Sequence, residues 1–280
     1  DAATGHLASL QSPFGISQAY TYDGFLPLSA AWTGDVTGKI DRGYDNNFRV
    51  VTEKINDSNL ISFGYDDDRL LTTAGGLNLT YNTINGLLTG SILGSVTDSW
   101  GYSSFGEAAN YVARYSGGTI FENQFTRDKL GRIIQKTETV AGVTTVYDYT
   151  YDQTGRLTQV KKNGVVFSTY AYDTNSNRLS RVTSSETEGG TYDAQDRLSS
   201  YGNFNYTYTA NGELKTKIDT VTAQTTQYDY DLMGNLLKVN LPDGKQIDYV
   251  IDGQNRRVGK KVNGALTQGF LYDGQIQIAA

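Results

Sequence analysis

The feature that most constrains this chain is a Tyr-Asp dipeptide that recurs along nearly its whole length. Most neighbouring copies lie 20 to 22 residues apart. The clear copies are Tyr22-Asp23, Tyr44-Asp45, Tyr65-Asp66, Tyr151-Asp152, Tyr172-Asp173, Tyr192-Asp193, Tyr230-Asp231 and Tyr272-Asp273. Degenerate copies in the gaps, such as Tyr81-Asn82, Tyr102-Ser103, Arg127-Asp128, Tyr208-Thr209 and Ile251-Asp252, bring the number to thirteen. A period of this length predicts an array in which each copy is one supersecondary unit.

The second position of each copy predicts a turn. It is Asp, Asn, Ser or Thr in all thirteen copies, and these side chains can hydrogen-bond the backbone two residues on. Several copies continue with a glycine four residues after the tyrosine, as at Gly155 and Gly234, where a positive φ would cost little. Arg156 and Asn235 come next, and each is followed by leucine. We therefore expect a sharp corner at every copy.

A second kind of turn lies between the corners. Three dipeptides flanked by alternating residues carry the strongest short-range hairpin signal: Asn163-Gly164, Asp243-Gly244 and Asn263-Gly264. Tyr147, Tyr149 and Tyr151 follow period-two alternation, which places them on one face of a strand. One repeat is thus predicted to be two strands and two turns.

Composition supports strands and excludes several kinds of site. The 31 glycines and 21 tyrosines suit tight turns and pleated surfaces. No cysteine is present, so thiolate metal sites and disulfides are excluded. The net charge of -6 offers no basic footprint for nucleic acid, and no apolar run approaches the roughly 18 residues of a membrane span.

Thirteen repeats imply roughly 26 strands, and a twisted sheet beyond about 10 strands must curl, split or close. The predicted fold class is all-β, with repeated antiparallel hairpins in one long meandering sheet that spirals into a shell-like or solenoid wall. We expect one array over residues 1–280, less regular in 1–20 and degenerate in 83–125. Tyrosines stacked in ladders would hold the wall together, and Arg132 and Arg156 would lie across neighbouring tyrosine rings.

Two segments carry a resemblance to a known family. Tyr151-Asp152 through Leu157 and Tyr230-Asp231 through Leu236 resemble the YD repeat of RHS (rearrangement hotspot) proteins. The run from Ile251 to Gly264, followed by Gly269-Phe270-Leu271-Tyr272, is similar to the stretch that bacterial members carry near the end of their repeats. The resemblance covers about residues 20 to 280.

The resemblance implies a function as well as a fold. In bacterial polymorphic toxins and insecticidal toxin complexes, the family's repeats form a shell around a C-terminal toxic cargo, and related shells in teneurins serve cell adhesion. It implies a secreted or cell-surface structural segment whose partners are a polypeptide cargo or the remaining shell of the same parent protein. Self-cleavage in bacterial members uses an Asp-Pro segment, and none of Pro13, Pro27 and Pro242 follows an aspartate here. That activity therefore does not carry over.

Other side chains were weighed as sites. His6 is the one histidine, which excludes histidine triads and multi-histidine metal sites. The run Asp66-Asp67-Asp68 lacks the glycine and terminal glutamate of a calcium loop, and acids such as Glu107 and Glu122 do not stand out as a hydrolytic pair. We expect no catalytic residue, cofactor or metal. The alternative function is a carbohydrate-binding or adhesive module that stacks glycans on exposed aromatics, with Trp32 and Trp100 as candidates.

Overall fold

The computed structural model describes residues 4–274 and 276–279, and all of its regular secondary structure there is β-strand. The strands are β1 (Ser9–Gln11), β2 (Ser17–Asp23), β3 (Leu26–Thr33), β4 (Gly38–Tyr44), β5 (Val50–Ile55), β6 (Asn59–Tyr65), β7 (Leu71–Ala74), β8 (Leu77–Tyr81), β9 (Leu88–Leu93), β10 (Val96–Tyr102), β11 (Ala108–Tyr115), β12 (Gly118–Arg127), β13 (Ile133–Val140), β14 (Val143–Tyr151), β15 (Leu157–Lys162), β16 (Val165–Tyr172), β17 (Arg178–Val182), β18 (Thr187–Tyr192), β19 (Leu198–Tyr201), β20 (Phe204–Tyr208), β21 (Leu214–Asp219), β22 (Thr225–Tyr230), β23 (Leu236–Asn240), β24 (Gln246–Ile251), β25 (Arg257–Val262), β26 (Ala265–Gly269), β27 (Leu271–Asp273) and β28 (Ile276–Ala279).

Sequence neighbours pair as antiparallel strands. Strand β14, for example, pairs with β13 through Val143 opposite Val140 and with β15 through Tyr149 opposite Val160. Strands β1 to β26 belong to one sheet, and β27 pairs with β28. The predicted all-β fold of repeated antiparallel hairpins in a meandering sheet is confirmed. No helix in the described residues is long and apolar enough to cross a membrane.

A β-bulge recurs next to the repeat tyrosine. The register shifts immediately before Tyr151 where β14 pairs with β15, and before Tyr172 where β16 pairs with β17. The same shift precedes Tyr192 and Tyr230. A bulge adds one unpaired residue and re-aims the next side chain. The repeat tyrosine therefore occupies the same local geometry at each of these corners.

Two of the three predicted hairpin turns have the expected geometry, and the third differs. Asn163 and Gly164 have φ values of 50° and 78°, the two positive angles of a type I′ turn, and Asn263-Gly264 repeats them. Asp243-Gly244 differs because its turn spans Leu241 to Gly244, with the Gly244 amide donating to the Leu241 carbonyl at 3.0 Å. Three further turns with two successive positive angles were not predicted: Asn56-Asp57, Ser116-Gly117 and Ala141-Gly142.

The chain divides into two compact units, and the first contains both ends of the sequence. It comprises Asp1–Phe63 and Asn203–Ala280. Its hydrophobic core joins early and late strands through Ile16, Ala30, Trp32, Val36, Ile40, Val250, Val258 and Leu271. Polar contacts across the same junction include Ser12 Oγ donating to the Ile251 carbonyl at 2.6 Å. The expectation that Trp32 is exposed is wrong, because its side chain lies in this core with 2% of its surface accessible.

The second unit, Gly64–Gly202, has a different kind of interior. Val160 is the one hydrophobic side chain among its described residues that is buried. Strands such as β13 expose every side chain partly, without a fully buried face. A sheet of this kind cannot depend on a conventional core, so its stability must come from contacts within the layer.

Candidate functional site: the tyrosine–aspartate corners

The corner after Tyr151 shows how the aspartate closes the turn. The Asp152 amide donates to the Arg156 carbonyl at 2.9 Å, and the Gly155 amide donates to the Asp152 carbonyl at 3.1 Å. Asp152 Oδ1 accepts the amides of Thr154 and Arg156 at 3.0 and 2.9 Å. Asp152 Oδ2 accepts Arg156 Nε at 2.7 Å. One carboxylate thus binds the turn through both oxygens, and the arginine after the glycine supplies its counter-charge.

The same arrangement recurs with small changes in chemistry. Arginine pairs with the aspartate at Asp45, Asp128, Asp193 and Asp252, whereas Asn177 and Asn235 donate an amide instead to Asp173 and Asp231. Asp66 accepts the Leu70 amide at 2.8 Å in the equivalent turn. The acidic run that starts at Asp66 is therefore part of a repeat corner. Asp23 and Asp273 occupy shorter turns, in which they pair directly with Leu26 and Ile276.

Hydrogen bonding lowers the pKa of corner aspartates such as Asp152 and Asp193. The Arg156 amide lowers the pKa of Asp152 well below its ordinary range, and the Arg156 guanidinium adds to the effect. The Arg197 amide and side chain act in the same way on the pKa of Asp193. A carboxylate with a lowered pKa adds stability above its ordinary pKa of about 4, and this stability is lost as pH falls below that value.

This linkage gives a testable acid dependence. We expect the melting temperature of the wild-type chain to fall more between pH 5 and pH 3, roughly one unit either side of the ordinary carboxyl pKa, than that of Asp152→Asn. Asparagine keeps an oxygen for the two amides but has no charge to lose. Equal losses in both proteins, measured by circular dichroism melts, would contradict the assignment.

At several corners the repeat tyrosine forms a hydrogen bond to the preceding strand. Tyr151 Oη donates to the Ile133 carbonyl at 2.7 Å, and Tyr172 Oη donates to the Leu157 carbonyl at 2.8 Å. Further tyrosines bond carbonyls 10 to 17 residues upstream: Tyr22, Tyr44, Tyr81, Tyr102, Tyr192 and Tyr272. This bond was not predicted, because nothing in the tyrosine spacing specifies a carbonyl acceptor.

Arginine rather than tyrosine covers the tyrosine rings. The Arg132 guanidinium lies 4.9 Å from the Tyr151 ring centroid, and Arg156 lies 4.9 Å from that of Tyr172. These cation–π contacts were predicted and are confirmed. The predicted tyrosine-on-tyrosine stacking is replaced at these corners, because the arginine of one corner occupies the face of the next corner's ring.

Removal of the Tyr172 hydroxyl tests the hydrogen bond from this tyrosine to the Leu157 carbonyl. Tyr172→Phe keeps the ring under Arg156 but deletes the donor to the Leu157 carbonyl. We expect a loss of about 0.5 to 1.5 kcal/mol in the free energy of unfolding, measured by urea denaturation. Tyr115→Phe is the control, since Tyr115 is 59% exposed. An equal effect of the two substitutions would argue against the bond.

The remaining candidates lie apart from one another. Glu107 accepts a hydrogen bond from Ser103 and lies 3.7 Å from Arg127, and Glu122 accepts one from Gln124. His6 stacks on Tyr22 with the ring centroids 4.7 Å apart. Trp100 packs 4.5 Å from the Tyr111 ring. Within the described residues, no group of three or more His, Asp or Glu side chains could hold a metal ion.

One corner differs from the others in burial. Asp252 has a side chain with 0% exposure and Arg256 one with 7%, whereas the pair Asp152 and Arg156 is 24% and 27% exposed. This corner packs against the amino-terminal strands, where Gln254 Nε2 donates to Tyr20 Oη at 3.0 Å. Ile251-Asp252 is a degenerate copy of the repeat, and nothing in its sequence signals its burial.

The teneurin YD-shell family model matches residues 1–279 of this chain. The chain belongs to the teneurin YD-shell family. It is 28% identical to teneurin-4 of Mus musculus over 249 residues, which is 85% of this chain and 9% of that protein. This YD-shell chain therefore spans about a tenth of the length of the curated relatives it matches.

Solved structures share the YD-shell fold at low sequence identity. The crystal structure of TcdB2-TccC3-Cdc42 superposes with a TM-score of 0.62 and 12% identity over 96% of this chain and 16% of that chain. The structure of the Photorhabdus luminescens Tc holotoxin pore gives a TM-score of 0.59 and 14% identity over 95% of this chain and 16% of that chain. At this identity, the similarity establishes the shared fold alone.

Proposed function

We propose that this YD-shell chain is a segment of the wall of a secreted or cell-surface protein. The wall encloses or presents another polypeptide, such as a toxic domain at the carboxyl end of the parent protein. The segment acts as one continuous array over residues 1–280, without catalysis of its own. Its partners are the enclosed polypeptide and the rest of the same shell.

The observation that carries the proposal is a sheet held together within its own layer. In the second unit, Val160 is the one buried hydrophobic among the described side chains. Its corners are instead fixed by bonds such as Arg156 Nε to Asp152 at 2.7 Å and Tyr172 Oη to Leu157 at 2.8 Å. A layer that needs no core on either face suits a wall with a compartment on one side. The fold shared with the Tc holotoxin pore supports this reading.

Protease protection tests the function in the parent protein. An enclosed carboxyl-terminal polypeptide should resist digestion under conditions that degrade the same polypeptide expressed alone. Asp252→Ala in the parent should open the wall and restore digestion, whereas Asp243→Ala, at an exposed hairpin turn, should leave protection intact. Digestion of the polypeptide at equal rates inside and outside the parent would contradict encapsulation.

One of the two tryptophan candidates for carbohydrate binding, Trp32, is not accessible. Trp32 is buried in the core of the first unit and offers no face to a sugar. Phe25 and Phe105 are 90% and 88% exposed and project from turns, and the Phe25 ring meets the His6 ring edge-on with the centroids 5.6 Å apart. A glycan array with the intact chain tests this alternative, and binding that is lost in Phe25→Ala or Phe105→Ala would favour it.

A further inference from the structure

Strand β27 is docked on the amino-terminal part of the first unit. Leu271, 3% exposed, enters the core beside Gly38, where an added Cβ would approach Leu271 Cδ1 to 2.7 Å. Tyr272 Oη donates to the Arg257 carbonyl at 2.7 Å. Strand β27 makes direct contacts with β4. The next side chain, that of Asp273, therefore lies against β4 and β5.

Two carboxyl groups meet one guanidinium at this contact. Arg42 on β4 lies directly opposite Glu53 on β5, and Arg42 Nη2 forms an ion pair with Asp273. The Arg42 side chain is 8% exposed and Glu53 is 6% exposed. Across β6, the residue opposite Glu53 is Ile61, which adds no charge. The other buried base nearby, Arg256, donates to the Gly274 carbonyl and is paired with Asp252, which leaves Arg42 as the counter-charge of the two acids.

The charge balance of this cluster depends on the proton of Glu53. With Glu53 protonated, Arg42 and Asp273 neutralise each other, and the Glu53 carboxyl donates to Asp273. Ionised Glu53 would add a second negative charge beside that of Asp273. This is costly because Glu53 itself is 6% exposed, whereas the Asp273 side chain is 40% exposed. Burial raises the pKa of Glu53, and the charge of Asp273 and the hydrogen bond to it raise it further, against the opposing charge of Arg42. Burial also raises the pKa of Tyr44 beside them, so this phenol stays neutral.

We propose that Arg42, Glu53 and Asp273 form a pH-sensitive latch, which holds β27 against β4 in mild acid and loosens it as the pH rises towards neutrality. The latch needs no enclosed polypeptide and can be tested in the chain alone. Its failure would therefore leave the proposed wall function untouched.

The sign of the effect follows from linkage. A carboxyl group whose pKa is raised in the docked state stabilises that state fully below its ordinary value of about 4.5. This stabilisation is lost as the pH rises through the raised pKa. The docking equilibrium changes about tenfold for each unit by which the pKa of Glu53 is raised. Corner aspartates with a lowered pKa, such as Asp152 and Asp193, act in the opposite direction and only below about pH 4, so the two effects fall in different pH ranges.

Hydrogen exchange measures the latch directly. Protection factors of the backbone amides of residues 271–273, corrected for intrinsic exchange, should fall severalfold or more between pH 4.5 and pH 8. In Glu53→Gln, which mimics the protonated acid, the protection factors should stay at the value of the wild type at pH 4.5 over the whole pH range. Glu186→Gln makes the same change in an exposed turn and should follow the wild type. The latch would be contradicted if the protection factors of the wild type did not change with pH. It would also be contradicted if they fell in Glu53→Gln as much as in the wild type.

A second variant and a direct titration guard against a folding defect. In Asp273→Asn, Glu53 becomes the sole carboxylate facing Arg42, so the fall in protection should vanish or reverse. If Glu53→Gln does not fold, the carboxyl carbon of Glu53 can be titrated by NMR in the wild-type chain. A midpoint at or below about 4.5, the ordinary glutamate range, would exclude the latch.

Discussion

Asp252→Ala is expected to destabilise the first unit by about 3 to 5 kcal/mol, because it leaves the Arg256 guanidinium buried without its counter-charge. Asp252 receives two bonds from that guanidinium, from Nε at 2.9 Å and from Nη2 at 2.7 Å. It also accepts the amides of Gln254 and Arg256 at 2.9 and 3.0 Å. Urea unfolding, followed by tryptophan fluorescence, gives the change in free energy.

The matched control is Asp152→Ala, which removes the same carboxylate from a corner that water reaches. The Arg156 side chain there is 27% exposed and can be hydrated after the substitution. We expect a clearly smaller loss than at Asp252. Equal losses at the two corners would mean that burial of the Asp252–Arg256 pair has no energetic consequence.

Trp32→Ala is expected to cost about 3 to 5 kcal/mol, the range for removing a large aromatic side chain from a packed core. Trp32 contacts both ends of the sequence, since it packs with Ile16 and Val258 in the core and carries the Arg256 guanidinium 5.7 Å from its ring centroid. Thermal and urea unfolding of the intact chain measure the loss.

Two variants sharpen this prediction. Among the described residues, the buried indole nitrogen of Trp32 has no hydrogen-bond partner, so Trp32→Phe removes an unsatisfied donor and should cost much less than Trp32→Ala. Trp100→Ala removes a partly exposed indole and should also cost less. A Trp32→Ala protein as stable as the wild type would contradict the packing of the two chain ends.

The local structure was predictable because its signals lie within one repeat. The spacing of Tyr151-Asp152, Gly155 and Arg156 predicted the corner, and Asn163-Gly164 predicted the hairpin. Ser116-Gly117 adopts the same hairpin geometry without the usual asparagine, so residue type alone did not reveal it. The dihedrals there are imposed by the strands on each side.

The junction between the chain ends was not predictable from the repeat. Trp32 and Trp100 were both predicted to be exposed, yet one is buried and the other partly buried. What buries Trp32 is a corner more than 200 residues later, and no periodicity links the two. The cluster of Arg42, Glu53 and Asp273 escaped notice for the same reason, since Glu53 follows no repeat pattern.

The two kinds of contact also differ in how far apart along the chain their residues lie. Corners and hairpins join residues within about one repeat, so they can form in succession at low cost in loop-closure entropy. The Ser12–Ile251 hydrogen bond closes a separation of 239 residues. During synthesis, Trp32 and Ile16 therefore remain exposed to solvent until β24 and β25 have emerged from the ribosome. That interval is when the nascent chain is most exposed to aggregation.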